Sequence, residues 1–381
     1  LTFPEAVRFL AKRANLPVPE DDGPQDGADR LRRRVLELNR DAARWYYDLL
    51  CSPEGAAVQA YLDRRQIRKS IAVRFGMGAS PDRWDGLLTA MTRRGYTKEE
   101  LLAAGLVVNG RNGRLYDKFR NRLMLPVIDT RGDVVGFGSR VIDNSEPKYM
   151  NTTETITYSK RRILYGLNLA KKTRRPNIIL CEGNLDVVTL HQAGFDNAVA
   201  SMGTALTVEQ TRLLSRFTKE LVLCYDNDNA GQLATQRALE LLNNSEFSVK
   251  VLKLPNRMVD GKPTKQDADD FIKNYGPAAF ENLLSGSENG VEFRMTQIAA
   301  RYDLTSDEGR IGYAGEMAEE LCRLENAVER DVYTNRAAQT AGLSPEAMKL
   351  ATRKPTVQRI RTASMEAARR SIIPESISLK S

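Results

Sequence analysis

The stretches NIILCEG (Asn177–Gly183) and ELVLCYDND (Glu220–Asp228) decide the fold. Each is a near-continuous run of Val, Ile or Leu that ends in carboxylates beside a small or polar residue. LDVVTLHQAG (Leu185–Gly194) follows the first with helical spacing, then NAVASMG (Asn197–Gly203) as a strand and LTVEQTRLLSRF (Leu206–Phe217) as a helix. After the second come AGQLATQRALELL (Ala230–Leu242) as a helix and SVKVLKLP (Ser248–Pro255) as a strand. This β-α-β-α-β-α-β alternation, with strands apolar on both faces, predicts a parallel sheet covered by helices.

Upstream the period changes. LMLPVID, DVVGFGSRVI and KYMNTTE, between Leu123 and Glu154, read as short strands separated by turn signals such as Thr130–Asp133. Before them the chain reads as helical. Arg30–Leu50 carries Leu31, Val35, Leu38, Ala42, Trp45 and Leu49 at helical spacing, and Thr97 with Glu100 forms a capping box. The Asp/Gly/Pro-rich segment Asp21–Asp29 reads as a loop, and the first residues as a short amphipathic helix. After Gly276 the pattern is helical again, with Ser344 as an N-cap and Pro345 at the first helical position near its end. The expected division is a basic α+β lobe over 1–175, the parallel-sheet domain over 176–275, a helical subdomain over 276–354 and a basic tail over 355–381.

Composition narrows the chemistry. The 381-residue chain has a net charge of +8, which raises the expectation of a polyanionic partner without identifying one. Cys51, Cys181, Cys224 and Cys322 lie far apart, so neither a zinc site nor a disulfide framework is expected. Cys181 and Cys224 fall in apolar runs and read as buried thiols. The single histidine, His191, lies in a predicted helix without a partner motif and reads as structural. Carboxylates and cationic side chains remain as the toolkit. No apolar run is long enough to span a bilayer, and a cytoplasmic protein is expected.

In a parallel α/β sheet, ligands bind outside the carboxyl ends of the strands. Those ends carry Glu182-Gly183, then Asp226-Asn227-Asp228, and a loop ending in Asp267-Ala268-Asp269-Asp270; Asp186 lies one turn into the first helix. Strand alternation would send Asp226 and Asp228 to the same side. An isolated Asp-x-Asp at a strand end is commonly a turn or a helix cap. Several such ends converging on one edge instead favour hard divalent cations, Mg²⁺ or Mn²⁺, which relieve the repulsion between crowded carboxylates. Two such ions suit in-line displacement at phosphorus. Glu182 could equally act as a general base. Gly203–Thr207 adds a glycine turn and a capping threonine suited to holding phosphate. A cationic, aromatic run lies upstream: Tyr116-Asp117-Lys118-Phe119-Arg120-Asn121-Arg122, Gly136–Arg140, Pro147–Asn151 and Tyr158–Lys160. Such side chains suit a single-stranded nucleic acid, cations following phosphates and rings stacking on bases.

EGNLD, GTALT and YDNDNAG closely resemble the Toprim module, and with YDKFRNRLMLP, GFGSR and PKYMN the chain resembles the catalytic core of bacterial DnaG-type primases from about Thr2 to Phe271. The resemblance implies a Toprim-like sheet between the basic lobe and a helical subdomain. It implies synthesis of short RNA primers on single-stranded DNA from ribonucleoside triphosphates. Glu182, Asp226 and Asp228 match the family's metal-binding acids, with Asp186, Asp267 and Asp269 in support. Arg65, Arg122, Arg140, Lys148, Asn151 and Lys160, with Lys118 and Arg120 of the same cationic run, would hold template or nucleotide. Asn184, Ser139 and Ala268 depart from the usual aromatic, glycine and proline. Such primases begin with a zinc-binding domain, for which no Cys/His set exists here. They end with a helicase-binding domain, for which too little chain remains, so an excised or reduced, monomeric core is expected, with a helicase engaged only through that missing domain. The rivals are a Toprim nuclease or topoisomerase fragment and a catalytically silent DNA-binding module.

Overall fold

A computed structural model describes residues 24–353 apart from 144, 244, 260, 261 and 325, with isolated positions 6, 10, 11, 13 and 14 before them. The expected N-terminal helix and the basic tail over 355–381 thus fall almost wholly outside the described residues. The chain divides into two compact units, Leu1–Ser287 and Glu288–Ser381.

The first unit opens with the helix α1, Pro24–Leu50. It begins inside the segment read as a loop. A proline in a first helical turn forfeits no intrahelical hydrogen bond, so the Pro24–Asp29 composition does not prevent helix there. Val35, Leu38, Ala42 and Tyr46 form its buried stripe, fully shielded or nearly so. Short helices follow: α2 (Ala56–Arg64), α3 (Lys69–Arg74), α4 (Gly86–Arg93) and α5 (Lys98–Ala103), with β1 (Gly78–Ser80) between α3 and α4. Thr97 and Glu100 close the expected capping box at α5. Glu100 also accepts from Arg34 Nε at 2.8 Å, tying α5 to α1.

The hairpin β2 (Val107–Asn109) and β3 (Leu115–Asp117) leads into β4 (Arg122–Ile128), β5 (Val134–Val141) and β6 (Tyr149–Asn151). These last three and β1 form an antiparallel sheet in the order β1-β4-β5-β6. On β4, Leu123, Leu125 and Val127 join one hydrophobic core and Met124 another. That alternation is the period of two for a strand covered on both faces.

After a short helix α6 (Leu167–Ala170), the parallel sheet appears as read: β7 (Asn177–Cys181), β8 (Ala198–Ala200), β9 (Glu220–Cys224) and β10 (Ser248–Val251), in the order β10-β9-β7-β8. Its helices are α7 (Asn184–Gln192), α8 (Val208–Leu214) and α9 (Asn229–Leu242). A small hairpin, β11 (Arg257–Val259) and β12 (Lys262–Thr264), precedes α10 (Ala268–Ser285), which kinks at Gly276 before Pro277. One continuous core joins Leu125 and Val127 of the lobe to Ile179, Val222 and Phe271 of the parallel-sheet region. The cationic lobe and the acidic sheet edge are therefore packed as one body.

The second unit holds α11 (Gly290–Ala299), α12 (Asp307–Leu321), α13 (Ala327–Ala341) and α14 (Pro345–Arg353) around its own core, including Ile298, Tyr313, Met317, Ala337 and Met348. Ser344 accepts from Ala347 N at 3.2 Å, the expected cap. Among the described residues no helix is long and apolar enough to cross a membrane.

Asp117, at the end of β3, is 1% exposed and accepts from Leu87 N at 2.7 Å and Leu88 N at 2.9 Å, so it caps α4 from across the chain. Asp117→Ala leaves the buried Leu87 N and the half-buried Leu88 N without their acceptor. The expected loss is about 2–3 kcal/mol of stability, read from urea unfolding. A change below about 0.5 kcal/mol would show that this cap does not hold the lobe together.

Candidate metal and nucleotide site

The sheet ends before its acids do. β9 stops at Cys224, so Asp226 and Asp228 lie in the following turn, and strand alternation does not orient them. Asp228 is instead the N-cap of α9, accepting from Gly231 N at 2.8 Å. The Asp-x-Asp is thus a helix cap, and it still belongs to the acidic edge. Asp186, at the third position of α7, accepts from Gly183 N at 3.0 Å, and Asp267 caps α10 through Asp270 N at 2.8 Å. Glu182 Oε1 accepts from Asp226 N at 3.2 Å, drawing the ends of β7 and β9 together. Gly231 is needed here: a Cβ would come within 2.0 Å of the Asp226 carbonyl oxygen and 2.9 Å of Glu182 Oε1.

The acids feel one another. Burial first, and then Asp226 and Asp228, push Glu182 up to about 7. Burial, with Asp267 and Asp228, pushes Asp226 up to about 6, while Lys148 pulls it back. Asp186 and Asp267 are also raised, burial again leading in both. Such a set is at ease only when protonated or when a cation sits among its oxygens. Half-buried carboxylates, with no thiolate or neutral imidazole among them, fit a hard divalent ion.

Asp269 plays another part. It is 2% exposed, and its oxygens accept from Arg65 at 2.7 Å, Lys273 at 2.5 Å and Thr189 at 2.5 Å. Asp267, Asp269 and Asp270 do bring one oxygen each within 4.8 Å of one another. Proximity alone does not make that trio a cradle, because Asp269 is already neutralised by two cations. Arg65 is correspondingly engaged with a carboxylate rather than free for a phosphate. The turn at Gly203–Thr207 likewise closes on itself: Thr207 and Gln210 form a reciprocal capping box on a helix of seven residues. Little there is left for an anion.

The remaining basic residues divide by engagement. Lys148 and Lys160 are exposed and make no ion pair among the described residues. Arg140 is mostly buried, donates to the Tyr149 hydroxyl and lies 6.0 Å from the Tyr61 ring centroid. Arg122 is 5% exposed; one terminal nitrogen donates to Pro147 O at 2.9 Å and the other is buried without a partner. Asn151 donates to Met202 O at 3.2 Å, and at Gly138 beside it a Cβ would meet the Asn184 amide nitrogen at 2.8 Å, so that side chain would have to shift. Lys118 lies over Phe119, its ammonium held below the usual range by burial. Arg120 stacks 3.9 Å from the exposed Trp84 ring and 5.2 Å from Tyr116. The departures are accommodated: Ser139 donates to Met150 O at 3.1 Å, and Ala268 and Asn184 are buried.

The sequence reading missed Lys273, Thr189, Tyr61 and Trp84. Lys273 stands four residues from Asp269 on α10, but the sequence reading placed Asp269 in a loop, where that spacing pairs nothing. The others carried no local signal. His191 is buried, bonds through Nε2 to Ala198 O at 2.9 Å and is lowered to about 4, burial leading, so it is structural as read. Cys181 and Cys224 are buried, also as read.

Residues 45–171 match the family described as the DNA primase catalytic core, N-terminal domain, and residues 179–272 match a Toprim-like family. Residues 291–346 match the DnaB-helicase binding domain of primase. This last match overturns the expectation that no such domain is present. That expectation rested on the length of chain remaining, and the helices after Gly276 were read as part of the core, whereas α11–α14 enclose a core of their own. A DNA primase of Clostridium acetobutylicum is 37% identical over 349 residues, 91% of this chain and 56% of the relative; one of Halalkalibacterium halodurans is 34% identical over 353 residues, 91% and 58%. The chain thus spans little more than half the length of these curated relatives. Among solved structures, the DnaG primase catalytic domain bound to single-stranded DNA is similar at a TM-score of 0.72 and 30% identity, over 84% of this chain and 99% of that one. A DNA primase domain from Pseudomonas aeruginosa gives 0.71 and 32%, again over 84% and 99%.

Glu182 and Asp226 bind protons more tightly in the fold than in the unfolded chain, where carboxyls titrate near 4. Their contribution to stability is therefore complete below that range and is lost as pH rises through about 6 and 7. In a chelator, the melting temperature should fall between pH 5 and pH 8, and Asp226→Asn should flatten the fall. Added Mn²⁺ should raise the midpoint at pH 8 in the parent chain. A parent profile indifferent to Mn²⁺, with the same slope in Asp226→Asn, would remove the acidic strain from this account.

Proposed function

The chain belongs to the bacterial DnaG-type primase family, and from that membership we propose that it synthesises short RNA primers on single-stranded DNA. The observation that carries this reading is the meeting of Glu182, Asp226 and Asp228 at one sheet edge, with the Lys148 charge felt at Asp226.

Glu182, Asp226 and Asp228 would hold Mg²⁺ or Mn²⁺, with Asp186 and Asp267 behind them. Bound there, the ions supply Lewis-acid stabilisation of an in-line displacement at phosphorus. This chain's own residues do the rest. Lys148, unpaired and exposed, draws in the anionic triphosphate or template. Arg140, steadied by Tyr149 and Tyr61, presents a guanidinium of fixed direction. Arg65 and Lys273 hold Asp269 in place, so that its neighbour Asp267 faces the other acids. Lys118, Arg120, Arg122, Asn151 and Lys160 form the template side, with the Trp84–Arg120–Tyr116 stack offering a π-face to an unpaired base. Among the expected domains, 1–175 would grip the template, 176–275 hold the metal and 276–354 meet a replicative helicase. The setting is the cytoplasm, with a monomeric core.

Incubation with ribonucleoside triphosphates, single-stranded DNA and Mn²⁺ should yield short RNA. Asp228→Ala should reduce that yield at least about a hundredfold, the scale for loss of an essential electrostatic group, while template affinity stays within about twofold. Lys148→Ala should weaken template or nucleotide binding and soften its salt dependence by about one counterion. Phosphodiester cleavage in place of synthesis, or undiminished synthesis by Asp228→Ala, would overturn the reading.

A further inference from the structure

We propose that a cavity apart from the acidic edge, formed where the end of β4 and the 155–167 segment meet α8, binds a small phosphate ester of nucleotide size. It has a volume of about 600 Å³ and shares no lining residue with the acidic edge. That volume lies in the usual range for small-molecule sites, roughly 300–1,000 Å³.

Its charge is what calls for a ligand. Arg32, Arg131, Arg162 and Arg216 all line it. Arg131 is paired with Asp129 at 3.2 Å, and Asp129 is otherwise occupied by the backbone of its own turn. Arg32, Arg162 and Arg216 make no ion pair among the described residues. Arg162 and Arg216 are exposed and Arg32 is half-buried, so each can turn to an anion seated in the hollow without releasing a carboxylate. The planar fork of arginine matches phosphate oxygens in pairs.

Tyr158 also borders the cavity, and at 1% exposure it packs into the wall and does not reach into the hollow. Ile128, Val135 and Leu164 supply an apolar floor for the body of the ligand.

The wall is built to hold its shape. Gln210 is fully buried and its amide donates to Lys160 O at 3.0 Å and Ile163 O at 2.9 Å, while Thr207 donates to Arg161 O at 2.6 Å. These bonds pin the 160–163 turn onto α8. A discrete ligand fits better than a passing strand. Strand binding uses successive exposed rings, and Tyr158, the one aromatic lining residue, offers no exposed face.

The test is calorimetric titration with ADP in EDTA, where the metal-free acidic edge repels phosphate. ADP should bind, inorganic pyrophosphate should compete, and Arg162→Ala and Arg216→Ala should each weaken binding about tenfold, the loss of one charge-assisted contact. Asp228→Ala should leave it unchanged. Both arginines are exposed, so their variants should keep the parent melting temperature. Absence of ADP binding in EDTA, binding indifferent to both arginine variants, or displacement of ADP by an eight-residue oligothymidine would each overturn the proposal. None of these outcomes depends on primer synthesis.

Discussion

Carboxylates crowded at one edge of a parallel sheet set the terms for everything around them. The fold offsets most of that repulsion with backbone. Asp228 and Asp267 each cap a helix and Asp186 closes the first turn of another, so these acids face the positive ends of α9, α10 and α7. Asp269 is neutralised by Arg65 and Lys273. Glu182 and Asp226 receive neither kind of help: their shared contact is one backbone N–H at 3.2 Å. The charge left uncompensated by the protein is therefore concentrated on the pair that joins β7 to β9. A cation placed there relieves what caps and arginines do not.

Crowding of this kind needs a rigid frame, because relaxation by even an ångström would let the acids separate. The frame is the core shared between the antiparallel lobe and the parallel sheet. Two glycines sharpen it. Gly231 lets the α9 turn close over Asp226 and Glu182, and Gly138 lets β5 approach Asn184 at the start of α7. A side chain at Gly231 would push the capping turn away from the acids, and one at Gly138 would displace the Asn184 amide. Packing thus fixes the distance between opposite charges, and the basic lobe reaches the acidic edge without any direct ion pair from Lys148.

The parallel sheet was legible because apolar runs of four or five residues, separated by amphipathic ones, have few other solutions. The acids were legible because they follow those runs directly. Their orientation was not. Alternation was extended past Cys224, where the strand has ended, and capping geometry took over. Nor could the reading separate Arg65 from Lys148, since both are cations upstream of the sheet. Only the fold brings Arg65 within 2.7 Å of a carboxylate 204 residues away. The second unit was misassigned for a related reason: helical periodicity reports which face is apolar, but not which core receives it.

That distinction bears on how cations near an acidic site divide their work. A cation already bound to a buried carboxylate gains little by turning to a phosphate, because the carboxylate left behind would be stranded in low dielectric. Arg65 and Lys273 are in that position, Asp269 being 2% exposed. Lys148 and Lys160 strand nothing when they move. Arg122 is intermediate, with one terminal nitrogen bonded to Pro147 O and the other buried and unpaired. The structure thus sorts one positive surface into residues that build the site and residues left available to a polyanion. The sorting variable is burial of the acid opposite, not nearness to it.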